Sequence, residues 1–485
     1  MKNKKWIILG VILVMYAALA LTYCSKQGYW HDEMHTFTNI KGISAYNFKG
    51  SFLCEVDKGV NAYVYKEKLG KSSFIDGFYT AILHEGHPPI YYITLKIWAI
   101  CFGYSELSLR GFSVFCGVLS FIVFFKILLL YCKNSYTRWL TVSLMIFNPF
   151  LFYYFSEARM YALAFLLSNV CFYFYLRYIK QEEHKNLNFI LFCISSAALF
   201  YTHYYGIFFY ITLLFWMYAK NGFSHNFLRY FIPFILFAPW IFMVHAQLAF
   251  REVHWTDGAV SLLRSIEGYG QGIIKLLISP MSASSGYEVI LVNVLIIVPF
   301  IFLCIRRKWK KLLIFLSIII VYFSQIYIFD HLLDHHTILV PRYYIFILII
   351  LYWIIAKSFS SIPKILSTVV VVFYCIVSLG VIEDIFFLRR APKQMYREVA
   401  SYIDLQFSPD KTLIIAEPKG PIIWGLSYYL TKNFIIIAAE DFDNTMALKP
   451  LYVNEDLGVY YKSRINKKHK KDLEHVPFVG MSIRN

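Results

Sequence analysis

The stretch WIILGVILVMYAALALTYC, Trp6–Cys24, is an apolar run long enough to cross the hydrocarbon core of a bilayer. A few residues further on the chain reads Trp30-His31-Asp32-Glu33-Met34-His35. Adjacent carboxylates at the end of a membrane span are costly to place and usually serve a function. The pair therefore predicts acid–base or metal chemistry at the surface of a membrane-embedded protein.

Composition extends this interpretation to the whole chain. Of the 485 residues 58% are hydrophobic, the mean hydropathy is +0.53, and long apolar runs recur. Only helices or closed barrels satisfy their backbone in lipid, and these runs lack the alternation of barrel strands. We therefore expect an all-α polytopic membrane protein. The net charge of +17 comes from Lys and Arg in short loops, which predicts contact with membrane lipids and no nucleic-acid partner.

Hydropathy indicates about eleven transmembrane helices. The Lys-rich N-terminus and its apolar run predict an uncleaved first span. The expected spans are Trp6–Cys24, Leu107–Tyr131, Tyr136–Phe155, Met160–Ile179, Leu187–Thr202, Tyr204–Ala219, Phe227–Gln247, Glu288–Ile305, Lys311–Phe329, Thr337–Ala356 and Lys364–Phe386.

The short apolar segment Pro88–Gly103 decides the orientation. If it does not span, the basic loops, including Arg306 to Lys311, share the side of the Lys-rich N-terminus, as the positive-inside rule requires. We therefore expect it to be an interfacial or re-entrant helix. The unusual polar residues and the C-terminus then lie on the extracytoplasmic side of the cytoplasmic membrane.

The chain is expected to have two parts. Residues 1–389 form a transmembrane catalytic domain whose large first outer loop covers 25–106, and residues 390–485 form a small extracytoplasmic α/β domain. Within the latter, the apolar patterns predict helices at Tyr396–Leu405 and Gly420–Leu430 and strands at Thr412–Ala416 and Phe434–Ala438. Whether Cys24 pairs with Cys54 is open.

Asp32 and Glu33 are the first candidate site residues. A carboxylate there could act as a general base on a hydroxyl or help to hold a divalent cation. The alternative is a helix cap or a solvated loop pair.

His87 is the second candidate. It precedes Pro88-Pro89, which should start a helix, so the imidazole and the helix N-terminus could both meet an anion such as phosphate. A simple turn is the alternative.

Charged residues at later membrane edges complete the set. Glu157 and Arg159 could serve a site or pair with each other or with headgroups. Arg110 begins the second span. Arg342 is expected several residues inside a span, facing the protein interior, where its guanidinium would suit a phosphate.

Possible metal ligands are His254 and the polar residues of Asp330–His336, against the alternative of ordinary outer-loop polarity. No cofactor is certain, and a divalent metal ion is left open.

The order of these motifs resembles a known family. An acidic pair follows the first span, and then come His87-Pro-Pro-x-Tyr-Tyr, Ser105-Glu-x-x-x-Arg, Ser156-Glu-Ala-Arg-Met-Tyr and His203-Tyr-Tyr-Gly. The arrangement resembles bacterial members of the dolichyl-phosphate-mannose-protein mannosyltransferase-like family, which have the GT-C membrane fold and include relatives that transfer aminoarabinose to lipid A. The resemblance extends over roughly residues 1–206.

This resemblance implies a glycosyltransferase. A sugar would move from a polyprenyl-phosphate donor to an acceptor hydroxyl, usually with inversion, with Asp32 as the base and Glu33 beside it. Arg110 would support the acidic pair, and Glu157 would be the second acidic position. Arg159 and Arg342 are the candidate cations that stabilise the departing phosphate. His87 and Arg110 are the other candidates for binding the phosphate of the donor. His87 stands where the aminoarabinose transferases have a lysine, and His254 where they have a metal-binding histidine.

Two other functions compete with this one. A transporter or flippase of a lipid-linked saccharide would carry charges near mid-span and related halves, which the sequence does not show. A non-catalytic scaffold would not depend on Asp32. The sugar, the lipid length, the oligomeric state and the acceptor, whether protein, lipid A or glycan, are not identified by the sequence.

Overall fold

The structure is a computed structural model of the 485-residue chain. It describes residues 4–43, 60–61, 67, 74–180, 183–222, 227–249, 258, 260–278, 294–295, 301–302, 304–306, 308–359, 361–387, 396–416, 420–438 and 449–453. The chain forms two compact units. The first contains residues 1–23, 87–91 and 109–391, and the second contains residues 24–86, 92–108 and 392–485.

Helices dominate the described residues. Their bounds are α1 Lys4–Ser25, α2 His31–Ile40, α3 Phe74–Glu85, α4 Ile90–Phe102, α5 Glu106–Tyr131, α6 Ser135–Ile146, α7 Pro149–Phe155, α8 Tyr161–Lys180, α9 Lys185–Phe200, α10 Gly206–Asn221, α11 Ile232–Phe237, α12 Ile241–Ala249, α13 Leu262–Ile278, α14 Trp309–Leu332, α15 Ile347–Phe359, α16 Lys364–Phe386, α17 Tyr396–Gln406 and α18 Gly420–Tyr429. Short 3₁₀ turns lie at Phe227–Phe231, Ala238–Trp240, Thr337–Leu339 and Pro341–Tyr344.

Among the described residues, six segments are long and apolar enough to cross a membrane, which supports the predicted membrane class. Four shorter apolar helices accompany them, including α4, which was expected not to span. The predicted count of eleven spans is not confirmed, because the span expected at Glu288–Ile305 lies largely outside the described residues.

Prolines divide two of the predicted spans. Tyr136–Phe155 is two helices, because Asn148 caps α7 and Pro149 occupies its first turn. A proline has no N–H to continue the preceding helix but is well suited to begin the next one. The segment predicted at Phe227–Gln247 is likewise broken, with Pro233 and Pro239 at the starts of α11 and a 3₁₀ turn.

The predicted span Thr337–Ala356 begins later than expected. Two 3₁₀ turns precede α15, and Arg342 lies in the second turn rather than inside a helix. The buried Asp330 carboxylate stabilises the first turn by accepting hydrogen bonds from the Thr337 hydroxyl and, at 2.8 Å, from the Ile338 N–H. Arg342 is therefore placed by a backbone turn and not by helix periodicity.

The second unit contains a four-stranded sheet of order β1-β3-β2-β4. The strands are β1 Val60–Asn61, β2 Thr412–Ala416, β3 Ile435–Ala438 and β4 Lys449–Val453. β2 runs parallel to β3 and β4, whereas β1 is antiparallel to β3. Because β1 comes from the segment between α2 and α3, the second unit combines residues of that segment with C-terminal residues. The predicted division at residue 389 stays a prediction.

The four C-terminal elements expected from the sequence occur close to their predicted bounds. β2 coincides with the predicted strand, and α17, α18 and β3 differ from prediction by one residue at one end. Their apolar residues alternate or recur with the period of the element they form, which explains why they could be recognised.

Asn148 connects three helices of the first unit. Its side chain is fully buried, accepts the Leu151 N–H at 2.8 Å, and donates to the Leu276 carbonyl at 2.9 Å and the Tyr352 hydroxyl at 2.6 Å. α7, α13 and α15 therefore share one amide.

We expect Asn148→Ala to lower the free energy of unfolding by about 3 kcal/mol, because a cap is lost and buried polar groups lose their partner. Thermal unfolding in detergent measures this. The matched control is Asn134→Ala, which removes an exposed cap of α6 that accepts only the Tyr136 N–H at 3.0 Å, and should cost about 1 kcal/mol or less. Equal losses in the two variants would contradict the connecting role of Asn148.

Candidate active site

Four of the charged or polar residues singled out above lie where helices of the first unit begin or end. Because an unbroken helix buries its backbone groups, the ends and turns are where polar side chains and exposed N–H groups can gather. These residues form what we call the cationic cluster: His87 before α4, Arg159 between α7 and α8, His203 between α9 and α10, and Arg342 before α15.

The turn Ser156–Arg159 places two charges in the protein interior. Glu157 is 1% exposed and Arg159 5% exposed, and the Arg159 N–H donates to the Glu157 carbonyl at 2.8 Å. The short turn thus holds an acidic and a basic residue two positions apart, and both side chains are removed from water.

Arg342 reaches the same part of the first unit. Its guanidinium interacts electrostatically with the Tyr154 side chain and lies 5.7 Å from the ring of Tyr343. The ring of Tyr154 packs at 5.1 Å against that of Tyr161, which follows the Glu157 turn. Residues far apart in sequence therefore meet around one group of aromatic rings.

His203 is the most enclosed member of the cationic cluster. It is 3% exposed, and its ring lies 5.4 Å from Phe346 and 6.0 Å from both Tyr161 and His87. Burial lowers the pKa of His203 well below its ordinary value, and the charges of His87, Arg159 and Arg342 lower it further. The imidazole is therefore neutral at physiological pH, amid side chains that can carry positive charge.

His87 lies just before α4, as predicted. Gly86 before it has a φ of 72°, and the two following prolines lead into the helix at Ile90. The His87 carbonyl accepts the Gln247 amide at 3.3 Å, and the Ile90 N–H donates to the Tyr201 carbonyl at 3.0 Å. The backbone on both sides of the two prolines is therefore fixed within the first unit.

Arg110 is fully buried in α5, also in the first unit. A buried guanidinium requires compensation by polar partners, so this position is not a surface anchor. Its expected support of the acidic pair stays a prediction.

Asp32 and Glu33 belong to the second unit and occupy the first turn of α2. The Glu33 side chain is fully buried and its Oε2 accepts the Trp30 N–H at 3.4 Å, so the cap considered for this pair applies to Glu33. Asp32 is partly exposed. Of the two carboxylates, Asp32 is the one accessible to a reacting molecule.

Helices α17 and α18 hold the segment that leads into α2. The Tyr29 N–H donates to the Tyr429 hydroxyl at 2.6 Å, and that hydroxyl donates to Glu106 Oε1 at 2.6 Å. Arg397 pairs with the same carboxylate at 2.8 Å and donates to the Gln27 carbonyl at 3.2 Å. The start of α2 is thus fixed by residues near the C-terminus.

Gly28 is required by this close approach. A Cβ at position 28 would lie 2.9 Å from the Arg397 Cβ and 3.0 Å from the Tyr429 hydroxyl. Burial and the adjacent Glu106 carboxylate raise the pKa of Tyr429, which keeps its hydroxyl protonated as the donor to that carboxylate.

The structure gives little support to the residues predicted to bind a metal ion. Within the described part of the chain, no group of three or more His, Cys, Asp or Glu is arranged to hold an ion. Asp330 serves the 3₁₀ turn described above. His254 and Cys54 lie outside the described residues, as do the side chains of His84 and Glu85. A role for His254 and pairing of Cys24 stay predictions.

Sequence reasoning selected His87, Arg159 and Arg342, and the structure brings them together around His203. The motif His203-Tyr-Tyr-Gly was noticed, but no role was given to the histidine. Arg397 and Tyr429 were missed, because their partners lie 291 and 323 residues away and no local pattern indicates the contact. The meeting of Asp32 with Glu157 in one site stays a prediction.

Comparison with known proteins gives the fold. No family model and no curated protein sequence matches the chain. Solved structures that match include ArnT from Cupriavidus metallidurans in the apo state, with a TM-score of 0.58, and the same protein bound to undecaprenyl phosphate, with a TM-score of 0.56. Each is 10% identical, and each match covers 89% of this chain and 86% of the other. The chain therefore has an ArnT-like membrane fold.

We expect Tyr429→Phe to destabilise the protein by about 2 kcal/mol, because the buried Tyr29 N–H and the Glu106 carboxylate both lose a partner. The neighbouring variant Tyr428→Phe is the control. The described contacts of Tyr428 are with the rings of Tyr29, Phe37 and Tyr429, which phenylalanine preserves, so its cost should stay below about 0.5 kcal/mol. Thermal unfolding of the two purified variants measures the difference, and a reversed order would refute the network.

Proposed function

We propose that the chain is a membrane glycosyltransferase that moves a sugar from a polyprenyl-phosphate donor to an acceptor hydroxyl. The reaction takes place at the outer face of the cytoplasmic membrane. The donor is held by the cationic cluster, and the acceptor is activated by Asp32. The acceptor classes are protein, lipid A and glycan.

The observation that carries the proposal is the cationic cluster. Arg159, which is buried, and Arg342, which is partly exposed, come from separate turns of one unit and both lie near His203, whose ring is 6.0 Å from that of His87 at a helix N-terminus. Guanidinium groups match the oxygens of a phosphate bidentately, and a helix N-terminus favours an anion. An ArnT structure of the same fold is bound to undecaprenyl phosphate, which supports the donor class.

The chemistry requires no nucleotide. The acceptor oxygen attacks the anomeric carbon of the sugar while its proton passes to the Asp32 carboxylate. The bond from the anomeric carbon to the phosphate oxygen breaks, and the lipid phosphate departs with the bonding electrons. Attack opposite the departing phosphate inverts the anomeric carbon. Negative charge grows on the phosphate, and Arg159 and Arg342 stabilise it.

The two carboxylates of α2 have different roles on the side of the acceptor. Asp32 is partly exposed and takes the proton, whereas Glu33 holds the helix start through its bond to the Trp30 N–H. Glu157 serves as the second acidic position and orients the substrate beside Arg159. Arg110 compensates the acidic groups from within α5.

The test is Asp32→Asn in the full-length protein, assayed for sugar transfer and for binding of polyprenyl phosphate. We expect transfer to fall about 10²–10⁴-fold, because the general base is removed, while the affinity for polyprenyl phosphate stays within about twofold. Glu33→Gln should lose less activity, because its amide oxygen can still accept the Trp30 N–H. The physiological sugar and acceptor come from mass spectrometry of glycans and lipids of a deletion strain.

Other outcomes identify the competing functions. Transfer that survives Asp32→Asn would reject Asp32 as the base. Movement of a lipid-linked sugar across vesicles by the wild type, with no product formed on any acceptor, would indicate a flippase. If the Arg159→Gln and Arg342→Gln variants bind polyprenyl phosphate as tightly as the wild type, the cationic cluster is not the donor site.

A further inference from the structure

Hydrogen bonds in the turn between α9 and α10 fix both the backbone and the ring of His203. The His203 N–H donates to the Leu199 carbonyl at 2.9 Å, and the His203 carbonyl accepts the Gly206 N–H at 2.9 Å. Between them the Tyr205 N–H donates to Nδ1 of the imidazole at 3.2 Å. The ring orientation is therefore set by backbone hydrogen bonds.

This arrangement also sets the tautomer. A nitrogen that accepts a backbone N–H carries no proton of its own, so the proton of the neutral ring lies on Nε2. Protonating the ring fully would break the bond from Tyr205 and place another positive charge beside His87, Arg159 and Arg342. His203 thus presents a neutral N–H donor.

That donor has no protein acceptor within the described residues. Nε2 of His203 is fully buried and makes no hydrogen bond there. The rings of Tyr161, Tyr343 and Phe346 pack around the imidazole at 6.0, 5.7 and 5.4 Å. A buried donor left without an acceptor is unfavourable, so a ligand atom is the natural partner.

We propose that the Nε2–H of His203 donates a hydrogen bond to a non-bridging oxygen of the donor's lipid phosphate. The inference rests on the proposed function and adds to it a neutral donor among cations. The cations attract the anion from every direction, whereas a single N–H of fixed orientation selects where one oxygen lies. His203 is thereby a residue that orients the leaving phosphate.

The same geometry argues against two other roles. A proton acceptor needs a lone pair on Nε2, and the Tyr205 bond places the proton there instead. A metal ligand needs the same lone pair, and the surrounding positive charges repel a cation. The base of the reaction is therefore not His203, in agreement with the assignment to Asp32.

The test compares binding of undecaprenyl phosphate, undecaprenol and inorganic phosphate to the purified full chain in nanodiscs. His203→Phe keeps the ring packing and removes the donor, so the affinity for undecaprenyl phosphate should fall about tenfold or more. The affinity for undecaprenol, which has no phosphate, should not change. His203→Gln, whose amide can donate, should recover part of the loss.

Two controls separate this inference from the proposed function. His245→Phe alters an exposed histidine of α12 and should bind like the wild type. Arg342→Gln tests the donor site itself. If Arg342→Gln weakens binding and His203→Phe does not, His203 is not a ligand of the phosphate and the donor site stands. If neither weakens binding, the donor site of the proposed function fails as well.

The inorganic phosphate arm identifies the source of the anion. We expect free phosphate to bind the wild type far more weakly than the lipid phosphate, since the lipid chain adds buried apolar area. Equal affinity of the two would assign the cluster to free phosphate and overturn the lipid assignment.

A spectroscopic measurement covers the case in which a variant does not fold. In wild-type protein labelled with ¹⁵N-histidine, Nε2 of His203 should show a protonated, pyrrole-type signal that moves when undecaprenyl phosphate is added. A pyridine-type Nε2 signal, or a signal that undecaprenyl phosphate leaves unmoved, would overturn the inference.

Discussion

The need of a membrane-embedded backbone to bond with itself governs this structure. A helix inside lipid satisfies its N–H and C=O groups internally, so irregular backbone is found where helices stop, and the turns there bring polar side chains together. His87, Arg159, His203 and Arg342 all lie at such stops. The prolines at positions 88, 89, 149 and 341 create or begin several of them, and the site is therefore a consequence of where the chain is interrupted.

Burial gives Arg159 and His203 their chemical character, whereas His87 and Arg342 are partly exposed. Charges removed from water interact strongly, because the surrounding medium screens them weakly. In the cationic cluster this weak screening favours a bound anion and keeps His203 neutral. The same side chains on a protein surface would affect one another much less. Glu157 contributes one negative charge to the same turn as Arg159. The result is an environment in which an oxyanion is stabilised and a cation is disfavoured.

In the second unit, a hydrogen-bond network positions the segment that carries the carboxylates of Asp32 and Glu33. The first turn of α2 carries Asp32, and its approach is held by a tyrosine, a glutamate and an arginine that bond to backbone atoms of residues 27 and 29. Glu33 contributes its own cap. Burying the polar groups of such a network costs little free energy when every group has a hydrogen-bond partner. Removing one member leaves buried groups unpaired and costs much more. The network makes the C-terminal helices part of the support for the proposed base, Asp32.

The sequence by itself determined the membrane class, the helices α1, α5 and α16, the strand β2, and the identity of most charged residues of the cationic cluster, because hydropathy and short motifs are local properties. Only the tertiary structure decided that Tyr136–Phe155 is two helices, that Arg342 lies in a 3₁₀ turn, and that the Tyr205 N–H donates to Nδ1 of His203. The contacts of Arg397 and Tyr429 with Glu106 were likewise decided there. These features depend on which distant atoms meet, and side-chain hydrogen bonds between residues hundreds of positions apart leave no periodic trace in the chain.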